Sequence, residues 1–592
     1  MRLLCLSDEY QKYGNSKDTF VWITYRCFEG IRYCREHNLE YEVIEEIFSN
    51  IDEFHDGQKE ITKYVDILVD YIGEWLNDLH EIGYSKKQWD ILLSIWLYYF
   101  VSSYYEKYCK LNSLGKNSKY CTVMVKSDYI CLDLGEYQQL LDDNFYVAWQ
   151  YSNLLDYFEY ENIKISDEIV WEHISGKRKV SLYRQIKNYI WDKYNKGKKI
   201  FIQNKLIDAN VAVYNSCLPD DFYDEIAIIN DVASCLIYDE YDDHFRAFIK
   251  NKYTDKISNN RIVCGLVPEE DWFLRFLKVR VKKELPIVFL EAWDYIGDKI
   301  KRSYNRFFGV SSVIYNDSAT HTDEITKRYL AEAIGKRIKL FDLQHGGGYG
   351  MCNSEYHHLM YRLPDYFITW GWVRDMKSIP VTMTKRLCID NIMENRTQIL
   401  FIGYSFPKYV VRIAYACEYW FDKFLEFNIS FLEGLKYEVK KQLKVRLYKN
   451  DYGWNIREQL DNRGIGISYD EEIDFSCSLL NSKLLIVAGF DTSTTILEAL
   501  FAGIPFIAIQ PLEYLELEDD ARVLVNELIE QKIIIGSSEL AAQFLNDYYD
   551  RVDEWWSEPS RAACIERFRN KYAYAPSNRV DIWKEFLRKL GE

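Results

Sequence analysis

The chain has 592 residues, 48% of them apolar and 28% charged, and a formal net charge of −17. That length exceeds what one hydrophobic core serves, so two or three domains are expected. The acidic balance argues against bulk nucleic-acid binding, which needs a basic stripe against the phosphates, and against strong electrostatic docking on anionic lipid.

The 14 cysteines are scattered singly with no CxxC pair, a pattern of reduced thiols. The opening run MRLLCLSDEY is too short for a secretory signal. The most apolar helical stretch, ILLSIWLYYFVSSYY (91–105), falls short of the ~20 residues a membrane span needs and reads as a buried helix. The expected location is cytoplasmic, with at most peripheral association at the inner face of the cell membrane.

In chain order, RLLCL opens a strand and long aromatic-rich helices follow around 61–80 and 89–110. KIFIQ (199–203), IVFLE (287–291) and SSVIYND (311–317) read as strands. DEITKRYLAEAIGK (323–336) has helical apolar spacing, and IKLFDL (338–343) is a further strand, largely buried, so 311–343 reads as a βαβ unit. After DYFITWGW (365–372) comes an irregular stretch. A second alternating series then begins, with strands in TQILFIGYS (397–405), KVRLYK (444–449), IGISYD (465–470), LLIVAG (484–489) and PFIAIQ (505–510). The tail from 537 is helical. Domains are expected over 1–385, 386–560 and 561–592.

In open parallel sheets ligands sit beyond the carboxyl ends of the strands, so the loops there carry the chemistry. QHGGGYG (344–350) places His345 and the bare backbone of Gly346, Gly347 and Gly348 at a strand end. Glycine N–H groups form anion-binding nests, and a histidine serves as base, acid or phosphate ligand; the alternative is a tight turn. In AGFDTSTTILEALFAGIPFIAI (488–509), Asp491, Thr492, Ser493 and Thr494 precede a helix, which makes a phosphate site. Glu498 either meets a ribose or completes a capping box with Thr495. Arg446 and Lys449 bring positive charge to a later strand end, either suited to a pyrophosphate or simply on a solvated surface. Tyr404 and Ser405 lie in the loop GYSFPKY (403–409).

Several alternatives fail. An α/β-hydrolase needs a histidine after its nucleophile, and the last histidine is His358, ahead of GYSFP. No GxxxxGK[ST] occurs, and Met351 breaks a GxGxxG pattern. EYDDH (240–244) reads as a solvated turn, the adjacent His357 and His358 lack metal-ligand spacing, and no acidic pair stands at a strand end. No metal or cofactor is called for.

Six segments in order, at 89–108, 344–350, 365–372, 446–454 (RLYKNDYGW), 491–507 and 553–573 (DEWWSEPSRAACIERFRNKYA), resemble a family of transferases found in bacterial surface-polysaccharide gene clusters, distantly similar to the CDP-glycerol glycerophosphotransferases of teichoic acid synthesis. The resemblance implies an α/β protein of GT-B type. Two Rossmann-like domains would face a cleft, with helical N-terminal insertions and C-terminal helices crossing back. It implies transfer from a nucleotide-activated donor, a nucleotide sugar, to a glycan or lipid-linked glycan acceptor such as O-antigen or capsule. The alternatives are polyol-phosphate transfer, nucleotide-sugar epimerisation or non-catalytic binding. Thr492, Ser493, Thr494 and Glu498 would lie on the donor side, His345 on the acceptor side, and Arg446 or Lys449 would meet the leaving phosphate.

Overall fold

The structure, a computed structural model, describes residues 1–172, 210–214, 234–237, 241–254, 256–261, 269–316, 321, 323–384 and 396–591. The strand expected at 199–203 and the domain boundary at 385–386 lie outside these residues.

Three parallel sheets organise the chain. The first contains β1 (Arg2–Cys5), β2 (Thr19–Trp22), β3 (Tyr41–Val43), β4 (Tyr120–Lys126) and β5 (Ile163–Val170), in the order β3-β2-β1-β4-β5. The second contains β6 (Val211–Tyr214), β7 (Ser234–Ile237), β8 (Ser312–Tyr315), β9 (Lys339–Leu343), β10 (Tyr366–Thr369) and β11 (Ser378–Pro380), in the order β11-β10-β9-β8-β6-β7. The third contains β12 (Gln398–Ile402), β13 (Leu443–Arg446), β14 (Ser468–Tyr469), β15 (Ser482–Ala488), β16 (Phe506–Ile509) and β17 (Ile534–Ile535), in the order β14-β13-β12-β15-β16-β17. Each side chain of LLIVA in β15 is at most 1% exposed, because helices cover both faces of a parallel sheet.

The second and third sheets are the two Rossmann-like units of the GT-B class, with the carboxyl ends of their strands turned toward each other. The third has the dinucleotide-fold strand order, and its switch point lies between β12 and β15. The first sheet is a third α/β layer where the sequence suggested helical insertions around one strand. Its first three strands are short, β4 and β5 are long, and β3 and β4 are separated by a hairpin of two long helices, Ile51–His80 and Lys86–Ser113.

That hairpin packs against the helix Glu324–Gly335 of the second sheet's unit. The second helix of the pair is the buried one expected: Ile91, Leu93, Trp96 and Leu97 are 0% exposed. No helix among the described residues is long and apolar enough to cross a membrane. The run IVFLE is not a strand. Pro286 opens a 3₁₀ turn at Ile287–Phe289, and the N–H groups of Ile287 and Val288 donate to the carbonyls of Cys131 and Leu132 instead of a ladder.

At the C-terminus, Pro559–Tyr572 packs on the third sheet's helices Thr494–Ala502 and Asp519–Glu530. The chain then crosses back. The Tyr574 N–H donates to the Trp370 carbonyl at 3.0 Å, and the helix Arg579–Gly591 lies on β6, its Phe586 ring against Phe341.

Ile486, in the centre of β15, is fully buried, whereas Ile473 is 97% exposed. Ile486→Ala should cost about 2–5 kcal/mol in urea unfolding, and Ile473→Ala less than about 0.5 kcal/mol.

Candidate active site

The loops after β9 and β15 meet in a seam between the two Rossmann-like units. Gln344 shapes the first loop. Its Oε1 accepts from Trp370 N at 2.9 Å and from Trp372 Nε1 at 2.8 Å, and its Nε2 donates to Gly346 O at 2.9 Å. The Gly347 N–H donates to Thr494 Oγ1 at 2.9 Å. A Cβ on Gly347 would lie 2.5 Å from the Ser493 carbonyl carbon, and one on Gly346 2.9 Å from Thr494 Oγ1. Gly348, at φ +85°, passes the Asp491 carbonyl. The glycine run was expected to admit a ligand; the group it admits is the other unit's backbone.

Beyond the glycines, Cys352 and Leu517 form an antiparallel bridge. His358 stands between Glu518, at 2.7 Å, and Glu355, at 3.5 Å, and Glu518 also pairs with Arg374. Burial opposes charging of His358, but the two carboxylates outweigh it and raise its pKa to about 9.

His345 is part-exposed at this seam, its ring 5.6 Å from Tyr349, with the Tyr349 hydroxyl 3.4 Å from Nδ1. A row of rings continues inward through Tyr349, His357 and Tyr415, and the Tyr415 hydroxyl lies 3.0 Å from His357 Nε2. Ser493 is the N-cap of the helix Thr494–Ala502. Thr495 is therefore inside the helix, and the capping box with Glu498 does not form. Glu498 is part-exposed one turn along.

The absence of an acidic pair at the strand ends must be corrected. Asp491 follows β15 and Glu516 follows β16; both are buried, at 3% and 1% exposure. Burial, then the Glu516 charge, pushes the Asp491 carboxyl up to about 7.

A cavity of about 1050 Å³ opens on the other side of the switch point, at the carboxyl ends of β12 and β13. Tyr404, Ser405 and Lys449 line it. Tyr404 stacks on Phe406 at 5.9 Å and lies beside Gly489, so it joins this cavity to the loop after β15. Tyr448 stacks on Tyr452 at 6.4 Å. Tyr99, Gln138, Asp142 and Arg246 form the facing wall, which belongs to the N-terminal part of the chain. Arg246 is neutralised by a two-pronged bond to Asp133, at 2.7 and 2.9 Å.

Three of the candidate site residues, Tyr404, Ser405 and Lys449, thus reach the cavity, and the four expected on the donor side, Thr492, Ser493, Thr494 and Glu498, do not. His345, the glycines and Asp491, Thr492, Ser493 and Thr494 converge on the seam and do not line it. Arg446 is a correction. Its Nη1 is bound by Asp470 at 2.7 Å, the Glu472 carbonyl at 2.9 Å and Ser478 at 3.1 Å, within its own unit. Its place in the cavity is taken by Arg412, which sequence reading missed. Arg412 donates to the Tyr99 hydroxyl at 2.9 Å, its Nε lies 3.7 Å from Glu418 Oε2 at the cavity wall, and its guanidinium lies 4.7 Å from the Tyr356 ring and 5.1 Å from Tyr415. Asp142 was also missed. Burial holds its carboxyl up at about 6, although the Tyr409 N–H and the Lys408 ammonium favour ionisation. Neither residue lies in a glycine-rich or strand-end motif. The described part of EYDDH caps a helix, Asp242 accepting from Phe245 N.

Residues 8–587 match the family model described as LIC12162 family transferase. The chain belongs to this family. No curated protein sequence matches it. Solved structures similar to it include the wall teichoic acid polymerase TagF (10% identity, 69% of this chain and 96% of that one, TM-score 0.31). Also similar are a UDP-GlcNAc 2-epimerase from Neisseria meningitidis bound to UDP-GlcNAc (11%, 64% and 99%, 0.34) and MurG from Acinetobacter baumannii (12%, 64% and 100%, 0.30).

Two measurements check the seam. Gly347→Ala should lower stability by about 1–3 kcal/mol, the usual cost of overpacking, while Gly83→Ala, with nothing within 4 Å of the added Cβ, should be silent. The His358 pKa is raised above its ordinary 6.5 to about 9. Its stabilising contribution should therefore be complete below pH 6.5 and fade as pH rises through 9. The difference in Tm between wild type and His358→Ala should shrink over that window.

Proposed function

We propose that the protein transfers a glycosyl group from a nucleotide sugar to a surface-glycan acceptor, O-antigen or capsule, with the donor seated in the cavity at the ends of β12 and β13. A polyol-phosphate donor would use the same groups. The observation that carries this reading is the combination of stacked aromatic pairs with Arg412 and Lys449 around one cavity of about 1050 Å³. Aromatic faces suit a nucleobase, and the two cations suit phosphates.

In the transfer, the acceptor oxygen forms the new bond while the bond to the nucleotide phosphate breaks. Negative charge grows on the departing phosphate, where Arg412 and Lys449 offset it, so the transfer step requires no metal ion. The acceptor hydroxyl proton passes to a base. Asp142 stands in the cavity with its carboxyl held near neutrality, the range a general base needs. His345 occupies the seam, where it would serve an acceptor entering between the units.

Nucleotide binding is read by thermal shift: at least one of CMP, CDP, UDP and GDP at 100-fold over Kd should stabilise by about 2.7 kcal/mol. Silence from all four at millimolar levels would remove the donor assignment. Arg412→Ala or Lys449→Ala should weaken donor binding roughly 10- to 100-fold, as loss of a charge-assisted hydrogen bond does, whereas Arg446→Ala should not.

With Asp142 as base, kcat/KM rises as pH rises through about 6. Asp142→Asn abolishes that limb and lowers kcat by about 10²–10⁴, with Tm retained. If His345→Ala has that effect instead, the base is His345.

A further inference from the structure

Three side chains with metal-ligand chemistry meet where the two Rossmann-like units join, and a fourth, His55, stands beside one of them, Glu516. Cys352 follows the glycine loop of the first Rossmann-like unit, Asp491 and Glu516 follow β15 and β16 of the other, and His55 lies in the helix Ile51–His80. Ligand atoms of Cys352, Asp491 and Glu516 all lie within 4.8 Å of one another, and all three residues are buried. His55 Nε2 stands 3.1 Å from Glu516 Oε1. Both of these atoms are buried, and apart from each other neither has a hydrogen-bond partner.

Buried charges are normally paired or bound to metal. The groups acting most strongly on the two carboxylates are Glu516 itself, His55, and hydrogen-bond donors such as Gln510 and Ala416, with no lysine or arginine among them. Two ligands on a tetrahedral zinc ion, each about 2.0–2.1 Å from it, sit about 3.3 Å apart. The His55–Glu516 separation is close to that. Magnesium and calcium prefer oxygen donors alone, while a set of sulfur, nitrogen and oxygen suits zinc.

We propose that Cys352, Asp491, Glu516 and His55 form a structural zinc site that clamps the two Rossmann-like units and the N-terminal helical hairpin together. On binding, the Cys352 thiol loses its proton to solvent and the sulfur–zinc bond forms, so uptake weakens in acid. None of the four residues lines the donor cavity, and the clamp stands or falls independently of the transfer reaction.

The test uses the full chain purified without a metal-affinity tag. Elemental analysis should find about one zinc per chain in wild type, falling at least tenfold in Cys352→Ala and Glu516→Gln. Chelator should lower Tm, and zinc, but not magnesium, should restore it. Cobalt in place of zinc should give a thiolate-to-cobalt absorption band that Cys352→Ser abolishes. Folded wild-type protein that is metal-free and indifferent to added zinc would overturn the proposal and leave the two carboxyls sharing a proton. Undiminished zinc in a folded Cys352→Ala would overturn it equally. Wild-type content and zinc response decide the matter where a variant fails to fold.

Discussion

The contact between the bare backbone of Gly346 and Gly347 and the Ser493–Thr494 peptide sets the geometry of the rest. Side chains at these positions would force the units apart, because a Cβ on Gly347 would lie only 2.5 Å from the Ser493 carbonyl carbon. With the contact made, the loops after β9 and β15 interlock, and Gln344 anchors one side through the two tryptophan donors. The bridge from Cys352 to Leu517 and the His358–Glu518 pair then follow in register. A glycine run here serves domain packing, the close backbone approach that only glycine permits.

Closing the seam fixes where space remains. With the β15 side of the switch point occupied by the first unit's loop, the open volume lies on the β12–β13 side. Its second wall comes from the N-terminal layer, through Tyr99, Gln138 and Asp142. That layer is tied in place by buried polar contacts across long stretches of chain. Lys408 pairs with Asp8 at 2.8 Å, and Arg26 donates to the Lys408 and Glu418 carbonyls at 3.1 and 3.0 Å. The cavity is therefore built mainly from the third sheet's unit and the N-terminal layer, with Arg246 added from the helix between β7 and β8, and the first sheet takes part in shaping the site.

Buried charge is unevenly distributed. On the cavity side Arg246, Arg412 and Lys449 stand among Asp142, Glu418 and Asp451, with Arg412 caged by tyrosines; on the seam side Asp491 and Glu516 face each other beside a thiol and an imidazole. A protein of net charge −17 repels anionic substrates at long range, so any affinity for phosphate must come from short-range groups that burial shields from the remaining charge.

The sequence by itself determined the elements that depend on local pattern. Continuous apolar runs such as LLIVA mark doubly covered parallel strands, the 3.6-residue spacing of 324–335 marks a helix, and their alternation announces two Rossmann-like units with function at the strand ends. The ordered segments also identified the family. Local pattern failed where an apolar run was core without being a strand, as at Ile287–Phe289, and in the first sheet, where the short β2 and β3 and also the longer β4 and β5 escaped it. Only the tertiary structure decided which loop faces which. Gly347 and Thr494 are 147 residues apart, and Asp491 and Glu516 become a pair because β15 and β16 lie side by side. Arg446 turned to Asp470 and Arg412 to the cavity for the same reason. A side chain's type is written in the chain, but its partner is set by packing between distant segments, and charge and hydrogen bonding act over a few ångströms of space and not along the sequence.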